Sequence, residues 1–100
     1  MKLKQGLSLL GLANRAGKIV TGEEQVLKEI RNKKAKLVIL AGDASTNTVK
    51  KFQDKCQSYD VPLKIVADRN TLGHSIGKLE RVVIAVLDGG FADKLKQLFD

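Results

Sequence analysis

Leu37-Val38-Ile39-Leu40-Ala41 is a continuous apolar run with the length of one β-strand. A strand that is apolar on both faces is typical of a sheet covered by helices on each side. A second run, Val82-Val83-Ile84-Ala85-Val86-Leu87, has the same pattern and predicts a second buried strand. The shorter segments Ile19-Val20 and Leu63-Lys64-Ile65-Val66 predict two further strands.

Segments with helical periodicity separate these strands. Their apolar residues recur three or four positions apart, as on the buried face of an amphipathic helix. They are Leu3, Leu7 and Leu10; Val26, Leu27 and Ile30; Val49, Phe52, Cys56 and Tyr59; and Phe91, Leu95, Leu98 and Phe99. A short helix that starts at Asp68 or Asn70, broken by Gly73 and Gly77, completes the order α-β-α-β-α-β-α-β-α. The sequence predicts an α/β fold in one domain, residues 1–100, with a three-layer α/β/α sandwich around a small mixed four-stranded sheet.

The charge of the chain is positive and unevenly distributed. The 18 Lys and Arg residues exceed the 11 Asp and Glu residues by seven, and residues 1–36 hold nine cations and three anions. Such an excess is common in nucleic-acid-binding proteins, because each phosphate that is neutralised releases counterions. A basic surface that serves only solubility is the alternative, so composition alone leaves nucleic-acid binding open.

No residue pattern indicates catalysis, a metal or a cofactor. Residues 11–18 resemble a phosphate-binding loop but have five residues between the glycines instead of four. We interpret them as a helix end with Gly17 as its stop signal. His74 lacks a partner motif, and Cys56 continues an apolar helix face, while the lone thiol fits a reducing cytoplasm. No apolar run approaches the roughly 20 residues that span a bilayer.

A polar helix start at residues 21–28 is the strongest candidate for a binding site. Thr21 and Glu24 have the spacing of a capping box, in which two side chains satisfy backbone N–H groups at the start of a helix. Gly22 permits the close approach of another backbone. Gln25 and Lys28 lie three apart on one helical face and carry an amide and a cation. An anionic partner with hydrogen-bonding edges suits this face, and RNA is the predicted partner.

A second segment, residues 72–81, can cooperate with this helix start. It is predicted as a helix and loop with two glycines that lead into the last strand. Strand ends and their neighbouring loops usually carry the sites of open α/β sheets. A simple connector with solvated Lys78 and Arg81 is the alternative. The four aromatic side chains fall on apolar faces, so a structured RNA is expected instead of a single strand stacked on aromatic rings.

These segments resemble a known family. Residues 22–28, 35–43 and 61–63, together with Leu72-Gly73 and Gly77, are similar to the archaeal and eukaryotic kink-turn-binding ribosomal proteins. The opening residues 9–18 resemble the small bacterial YlxQ-like branch, so the resemblance covers nearly the whole chain. It implies an α/β/α sandwich that binds a kink-turn, a sharply bent RNA duplex with a three-nucleotide bulge beside tandem sheared G·A pairs.

The resemblance also implies which residues contact RNA. The family's helix start, Gly-x-Asn-Glu-x-x-Lys, enters the widened major groove, and an apolar loop before the last strand covers bulged nucleotides. By position, the predicted RNA-binding residues are Gly22, Glu23, Glu24, Gln25, Lys28, Arg31, Lys78, Leu79, Glu80 and Arg81. Glu24 places a carboxylate where the family has a neutral amide. It either caps Thr21 and points away, or accepts a hydrogen bond from a guanine.

The sequence therefore predicts a cytoplasmic, monomeric, non-enzymatic protein that recognises kink-turn RNA. Ribosomal RNA or the ribosome is the expected partner, and no cofactor or membrane is expected. The first alternative is a protein-interaction subunit of the same fold that lacks specific RNA binding. The second is an enzyme that modifies RNA, such as a methyltransferase, but the sequence lacks a cofactor motif.

Overall fold

Residues 2–100, which the computed structural model describes, form five helices and four strands in the predicted order. The elements are α1 (Lys2–Arg15), β1 (Ile19–Thr21), α2 (Glu23–Arg31), β2 (Leu37–Ala41), α3 (Thr46–Ser58), β3 (Leu63–Val66), α4 (Arg69–Ser75), β4 (Val83–Val86) and α5 (Gly89–Leu98). Gly17 follows α1 at φ 72°, which confirms its prediction as a stop signal and the interpretation of residues 11–18 as a helix end.

The sheet is mixed, and its strands have the order β1-β4-β2-β3. β4 pairs antiparallel with both β1 and β2, whereas β2 and β3 are parallel. β1, β2 and β3 therefore run in one direction, and their last residues lie at the same end of the sheet as the first residue of β4. We call this end the carboxyl-end rim; it carries Thr21, Ala41, Val66 and Val83.

Helices cover both faces of the sheet, which confirms the three-layer prediction. Leu37 and Ile39 of β2 pack on one face with residues of α1, α4 and α5. Val38 and Leu40 point to the other face and pack with residues of α2 and α3. The central strands β2 and β4 are buried along their whole length, as their apolar runs predict. The outer strands β1 and β3 are only partly buried, and Ile65 of β3 is half exposed.

Individual side chains mostly follow the predicted apolar faces. Phe52 is fully buried and Cys56 nearly so, and burial raises the pKa of the Cys56 thiol to about 11 because the thiolate loses its hydration. Leu3 and Tyr59 were predicted on apolar faces but are substantially exposed, because both lie near the ends of their helices. Among residues 2–100, no helix is long and apolar enough to cross a membrane.

Candidate nucleic-acid interface

The junction between β1 and α2 differs from the predicted capping box. Thr21 is the last residue of β1, where it pairs with Ile84. Gly22 is the residue that precedes the helix, at φ 91°, and no side chain caps the helix start. The capping-box prediction is therefore wrong, because strand pairing keeps Thr21 in the sheet and Gly22 has no side chain to cap with.

The α2 start, residues 22–28, presents unpaired polar groups at the carboxyl-end rim. The Gly22 N–H donates to the Val83 carbonyl at 3.3 Å, and the first intrahelical bond runs from Val26 to the Gly22 carbonyl. Within residues 2–100, the N–H groups of residues 23–25 have no backbone acceptor, as expected at a helix start. Val26 and Ile30 are fully buried and fix the helix to the sheet. The free N–H groups therefore sit on a rigidly held element.

The exposed face of α2 carries the side chains that the sequence predicts as RNA contacts. These are Glu24, Gln25, Lys28 and Arg31, which are all exposed. In the part of the chain that the structure describes, none of the four forms a side-chain hydrogen bond or ion pair. Glu23 differs, because its Oε1 accepts a hydrogen bond from Lys51 of α3 at 2.9 Å. Lys51 thus partly neutralises one of the two carboxylates at the helix start.

Gly22 is both conformationally required and open to solvent. Its φ of 91° lies in the region that side-chain-bearing residues rarely adopt. A Cβ built at this position would have no atom within 4 Å, so the space in front of the glycine is empty. A ligand can therefore approach the backbone here, as the sequence predicts.

The α4–β4 loop, residues 78–81, forms the second part of the rim. Leu79 is 91% exposed, and Lys78 and Glu80 are also exposed. The loop lies directly against Gly73 of α4, where a Cβ would come within 2.6 Å of the Glu80 Cα. The prediction that Gly73 breaks the helix is wrong, because Gly73 lies inside α4 and its missing side chain admits the loop.

Arg81 connects the α4–β4 loop to the α2 start. Its Nε donates to the Thr21 Oγ1 at 3.2 Å, and its Nη1 donates to the Glu80 carbonyl at 2.6 Å. Its backbone N–H donates to the Arg69 carbonyl at 3.0 Å. The two segments that were predicted separately are thus neighbours, and Thr21 is the acceptor that joins them.

A further pair at the rim was missed by sequence reasoning. Asp43, in the loop after β2, accepts hydrogen bonds from the backbone N–H of Arg69 at 3.0 Å and from its Nε at 3.3 Å. The Arg69 Nη2 also donates to the Asp43 carbonyl at 2.8 Å. These bonds hold the start of α4 against the β2–α3 loop. The local signal was an aspartate two residues after the end of a buried strand, which does not identify its partner.

The chemical groups at the rim are mainly hydrogen-bonding and charged groups. No cluster of His, Cys, Asp and Glu side chains that is able to hold a metal ion occurs among residues 2–100. His74 is exposed, and the Cys56 thiol is buried away from the rim with its pKa raised. The exposed groups at the rim are backbone N–H donors, an amide, cations, the carboxylates of Glu24 and Glu80, and one leucine.

Fold and rim together define a class, a small basic α/β/α sandwich that presents polar groups and an exposed loop at one end of a mixed sheet. Residues 4–96 match the profile of the ribosomal protein L7Ae/L30e/S12e/Gadd45 family. The chain belongs to this family, as its resemblance to kink-turn-binding ribosomal proteins predicts.

Similar proteins agree with this assignment. The chain is 63% identical over 92 residues to the RNA-binding protein YlxQ of Bacillus subtilis, covering 92% of each chain. It is 36% identical over 93 residues to the large ribosomal subunit protein eL30 of Eremothecium gossypii, covering 89% of this chain and 87% of that protein. A solved structure from Bacillus halodurans C has a TM-score of 0.94 and 56% identity, covering 95% of this chain and 96% of the other. Membership among such proteins confirms the prediction that the chain is not an enzyme.

Proposed function

We propose that this chain is an RNA-binding protein that recognises kink-turn RNA within ribosomal RNA. The observation that carries the proposal is that the α4–β4 loop lies beside the α2 start. The hydrogen bond from Arg81 to Thr21, the residue directly before the α2 start, holds the two segments together. Unpaired polar groups and an exposed leucine therefore lie side by side on a chain with a net charge of +7. The names of the Bacillus subtilis and Eremothecium gossypii relatives support RNA and the ribosome as partners.

The α2 start supplies the contacts to base edges. A guanine presents its O6 and N7 acceptors in the major groove, and the Lys28 ammonium and the Gln25 amide N–H₂ are donors that suit them. The Gln25 oxygen can accept a hydrogen bond from an adenine amino group. Regular A-form RNA hides these base edges in a deep, narrow groove, so a kink that widens the groove creates the site. Gly22 allows the RNA to approach the helix start closely, because no side chain occupies that space.

The α4–β4 loop supplies an apolar cover for a nucleotide that leaves the stack. The Leu79 side chain is 91% exposed, so it can cover a nucleotide without giving up packing contacts within the protein. Lys78 beside it is free to meet a phosphate. Arg81 already donates from Nε and Nη1 to protein acceptors, so its main role is to position the loop.

Glu24 is the residue that fits RNA least well, because it carries a negative charge close to a polyanion. It does not cap Thr21, whose hydroxyl accepts a hydrogen bond from Arg81 instead. We therefore propose the other role, in which Glu24 accepts a hydrogen bond from a guanine; if it does not, its charge weakens the affinity for RNA. Under this proposal, Glu24→Gln retains an acceptor and removes the charge, so it strengthens binding, most of all at low salt. Loss of a phosphate-contacting cation has the opposite effect, because it weakens binding and reduces its salt dependence.

A titration with two RNAs tests the proposal. The first is a kink-turn RNA, and the second is a straight duplex of the same length without the bulge. We expect Lys28→Ala to weaken binding of the kink-turn by about 1–3 kcal/mol, the usual cost of a lost base-edge contact. The matched control is Lys34→Ala, which removes an exposed cation that lies beyond the C-terminal end of α2.

Equal losses for the two lysine variants would reject this site. Equal binding of the kinked and straight RNAs, with a steep salt dependence for both, would favour the alternative of a protein-interaction subunit without specific RNA binding. We further propose that the protein is cytoplasmic, that residues 1–100 act as one domain, and that it binds its RNA as a monomer without a cofactor.

A further inference from the structure

A groove between α1 and α5 lies on the opposite side of the sheet from α2. It is an open groove with a volume of about 540 Å³, and its apolar lining consists of Leu9, Leu12 and Leu98. Leu9 and Leu98 are partly buried, whereas Leu12 is half exposed. The groove is separate from the carboxyl-end rim, because none of its lining residues belongs to the α2 start or the α4–β4 loop.

The charged residues that line this groove are all cations. Lys4 of α1 and Lys94 of α5 line it together with the leucines, and no carboxylate does. α1 contains no acidic residue. The one acidic residue of α5, Asp93, forms an ion pair with Lys96 at 3.4 Å. Asp88 adjoins Leu9 and Lys94 and accepts a hydrogen bond from the Phe91 N–H at 2.9 Å, and neither carboxylate is part of the lining. The groove therefore combines an apolar surface with two exposed positive charges.

The dimensions of the groove suit a helix. Its α1 wall extends from Lys4 to Leu12, which is about 12 Å at 1.5 Å per residue, or roughly two helical turns. A partner helix with apolar residues at positions i, i+3 or i+4, and i+7 presents an apolar stripe of about that length. Such a stripe is commonly recognised in an apolar groove. Acidic residues on either side of such a stripe would meet Lys4 and Lys94.

Other occupants match these features less well. RNA offers phosphates for the two lysines but little apolar surface for the three leucines. A second copy of this chain would bring its own net charge of +7 to a cationic groove. A bilayer is flat on this scale and does not reach Leu9 and Leu98, which are partly buried inside the groove.

We infer that the groove between α1 and α5 docks an acidic amphipathic helix of a partner protein. The partner is held by burial of its apolar stripe against the leucines and oriented by ion pairs with Lys4 and Lys94. Because the groove and the rim are on different surfaces, the chain can hold this helix while the rim is occupied. The inference does not depend on what binds the rim.

Photo-crosslinking in cells of the organism that encodes the chain tests this inference. A photoreactive benzoyl-phenylalanine replaces Leu12 in the full-length chain, and mass spectrometry identifies the crosslinked segment. The matched control carries the same group at Leu3, which lies on the same helix and is similarly exposed but does not line the groove. We expect position 12, and not position 3, to capture a segment of one protein that has an acidic amphipathic sequence.

Binding of a synthetic peptide with the captured sequence completes the test. Leu12→Ser is expected to weaken the affinity of the purified chain for the peptide by about tenfold, since burial of a leucine contributes on this scale. Lys94→Glu is expected to weaken it by about as much, because it places a like charge against the acidic peptide. Leu3→Ser and Lys28→Ala should change it by less than about twofold. Retention of affinity in Leu12→Ser would overturn the inference. So would crosslinks from position 12 to RNA, phospholipid, a second copy or a segment of other chemistry, or the absence of any crosslink.

Discussion

The α2 start and the α4–β4 loop lie side by side at the carboxyl-end rim, but different interactions hold them in place. The α2 start belongs to a regular helix that Val26 and Ile30 anchor in the core. The α4–β4 loop buries none of residues 78–80 and instead rests its backbone on Gly73. The first segment is therefore fixed by side-chain burial, and the second by close backbone packing on one glycine.

This difference matches the roles that we propose for the two segments. Hydrogen bonds to base edges require donors at defined positions, which a packed helix provides. A side chain that covers an unstacked nucleotide needs apolar contact area, but it does not need a precise orientation. An exposed leucine on a loop is therefore adequate. We therefore expect substitutions that move one segment to affect the other only weakly, through the hydrogen bond from Arg81 to Thr21.

Gly73→Ala is expected to have the largest effect, because it attacks the packing that holds the loop. The new Cβ would lie 2.6 Å from the Glu80 Cα and 2.8 Å from the Leu79 carbonyl oxygen, so the loop must move. We expect a loss of about 2–3 kcal/mol in the free energy of unfolding, in the range of overpacked sites. Urea denaturation measures it, and Gly89→Ala, where a Cβ meets no atom within 4 Å, is the control. Equal stability of the two variants would contradict close packing of the loop.

Gly22→Ala probes the α2 start by strain alone. No atom lies within 4 Å of the added Cβ, so the cost comes only from a backbone with φ 91°. We expect the free energy of unfolding to fall by about 1–2 kcal/mol, because this region is strained for residues with a Cβ. In the amide NMR spectrum, changes should stay near residues 21–25 and leave Leu79 unchanged. A loss below about 0.5 kcal/mol would mean that the backbone relaxes at no cost.

Leu79→Ala separates binding from stability. The side chain is 91% exposed, so its truncation should change the free energy of unfolding by less than about 0.5 kcal/mol. If it covers a nucleotide, binding of a kink-turn RNA should weaken by about 1 kcal/mol from the lost apolar contact. Calorimetric titration of the RNA measures this. Unchanged affinity of Leu79→Ala for the RNA would show that the loop does not cover a nucleotide, but it would not bear on the role of Lys28.

Thr21→Val tests the connection between the two segments and should have the smallest effect. Valine keeps the shape of the strand residue but removes the acceptor of the Arg81 Nε. We expect a loss of about 0.5–1 kcal/mol in the free energy of unfolding, the net value of one hydrogen bond. In RNA titrations, a double-mutant cycle of Thr21→Val with Leu79→Ala should show a coupling of about 0.5 kcal/mol. Strict additivity would indicate that the two segments act independently.

Much of the sheet could be predicted from the sequence, because its central strands carry apolar residues on both faces. The runs at residues 37–41 and 82–87 contain the observed β2 and β4, and the predicted mixed sheet and its two helical layers are confirmed. Exposure at element ends was less predictable. Periodicity places Leu3 and Tyr59 on buried faces, but whether a neighbour covers a helix end depends on tertiary packing.

The candidate site could be predicted only in part. The residues of the α2 start and the loop were identified along the chain, but the hydrogen bond that joins them connects positions 60 residues apart. A local pattern therefore assigned the Thr21 hydroxyl to a helix cap, although Arg81 uses it. The bonds between Asp43 and Arg69 were missed for the same reason. The groove between α1 and α5 was also not predicted, because it depends on how helices from opposite ends of the chain pack.

The central claim is that the α2 start and the α4–β4 loop contact one RNA together. Amide NMR of the ¹⁵N-labelled chain, titrated with a kink-turn RNA, tests it most directly. The account predicts saturable shifts at Gly22, Gln25, Lys28 and Leu79 with one common affinity, and few shifts along α5. Shifts confined to one of the two segments, shifts centred on α1 and α5, or the same shifts with a straight duplex would contradict it.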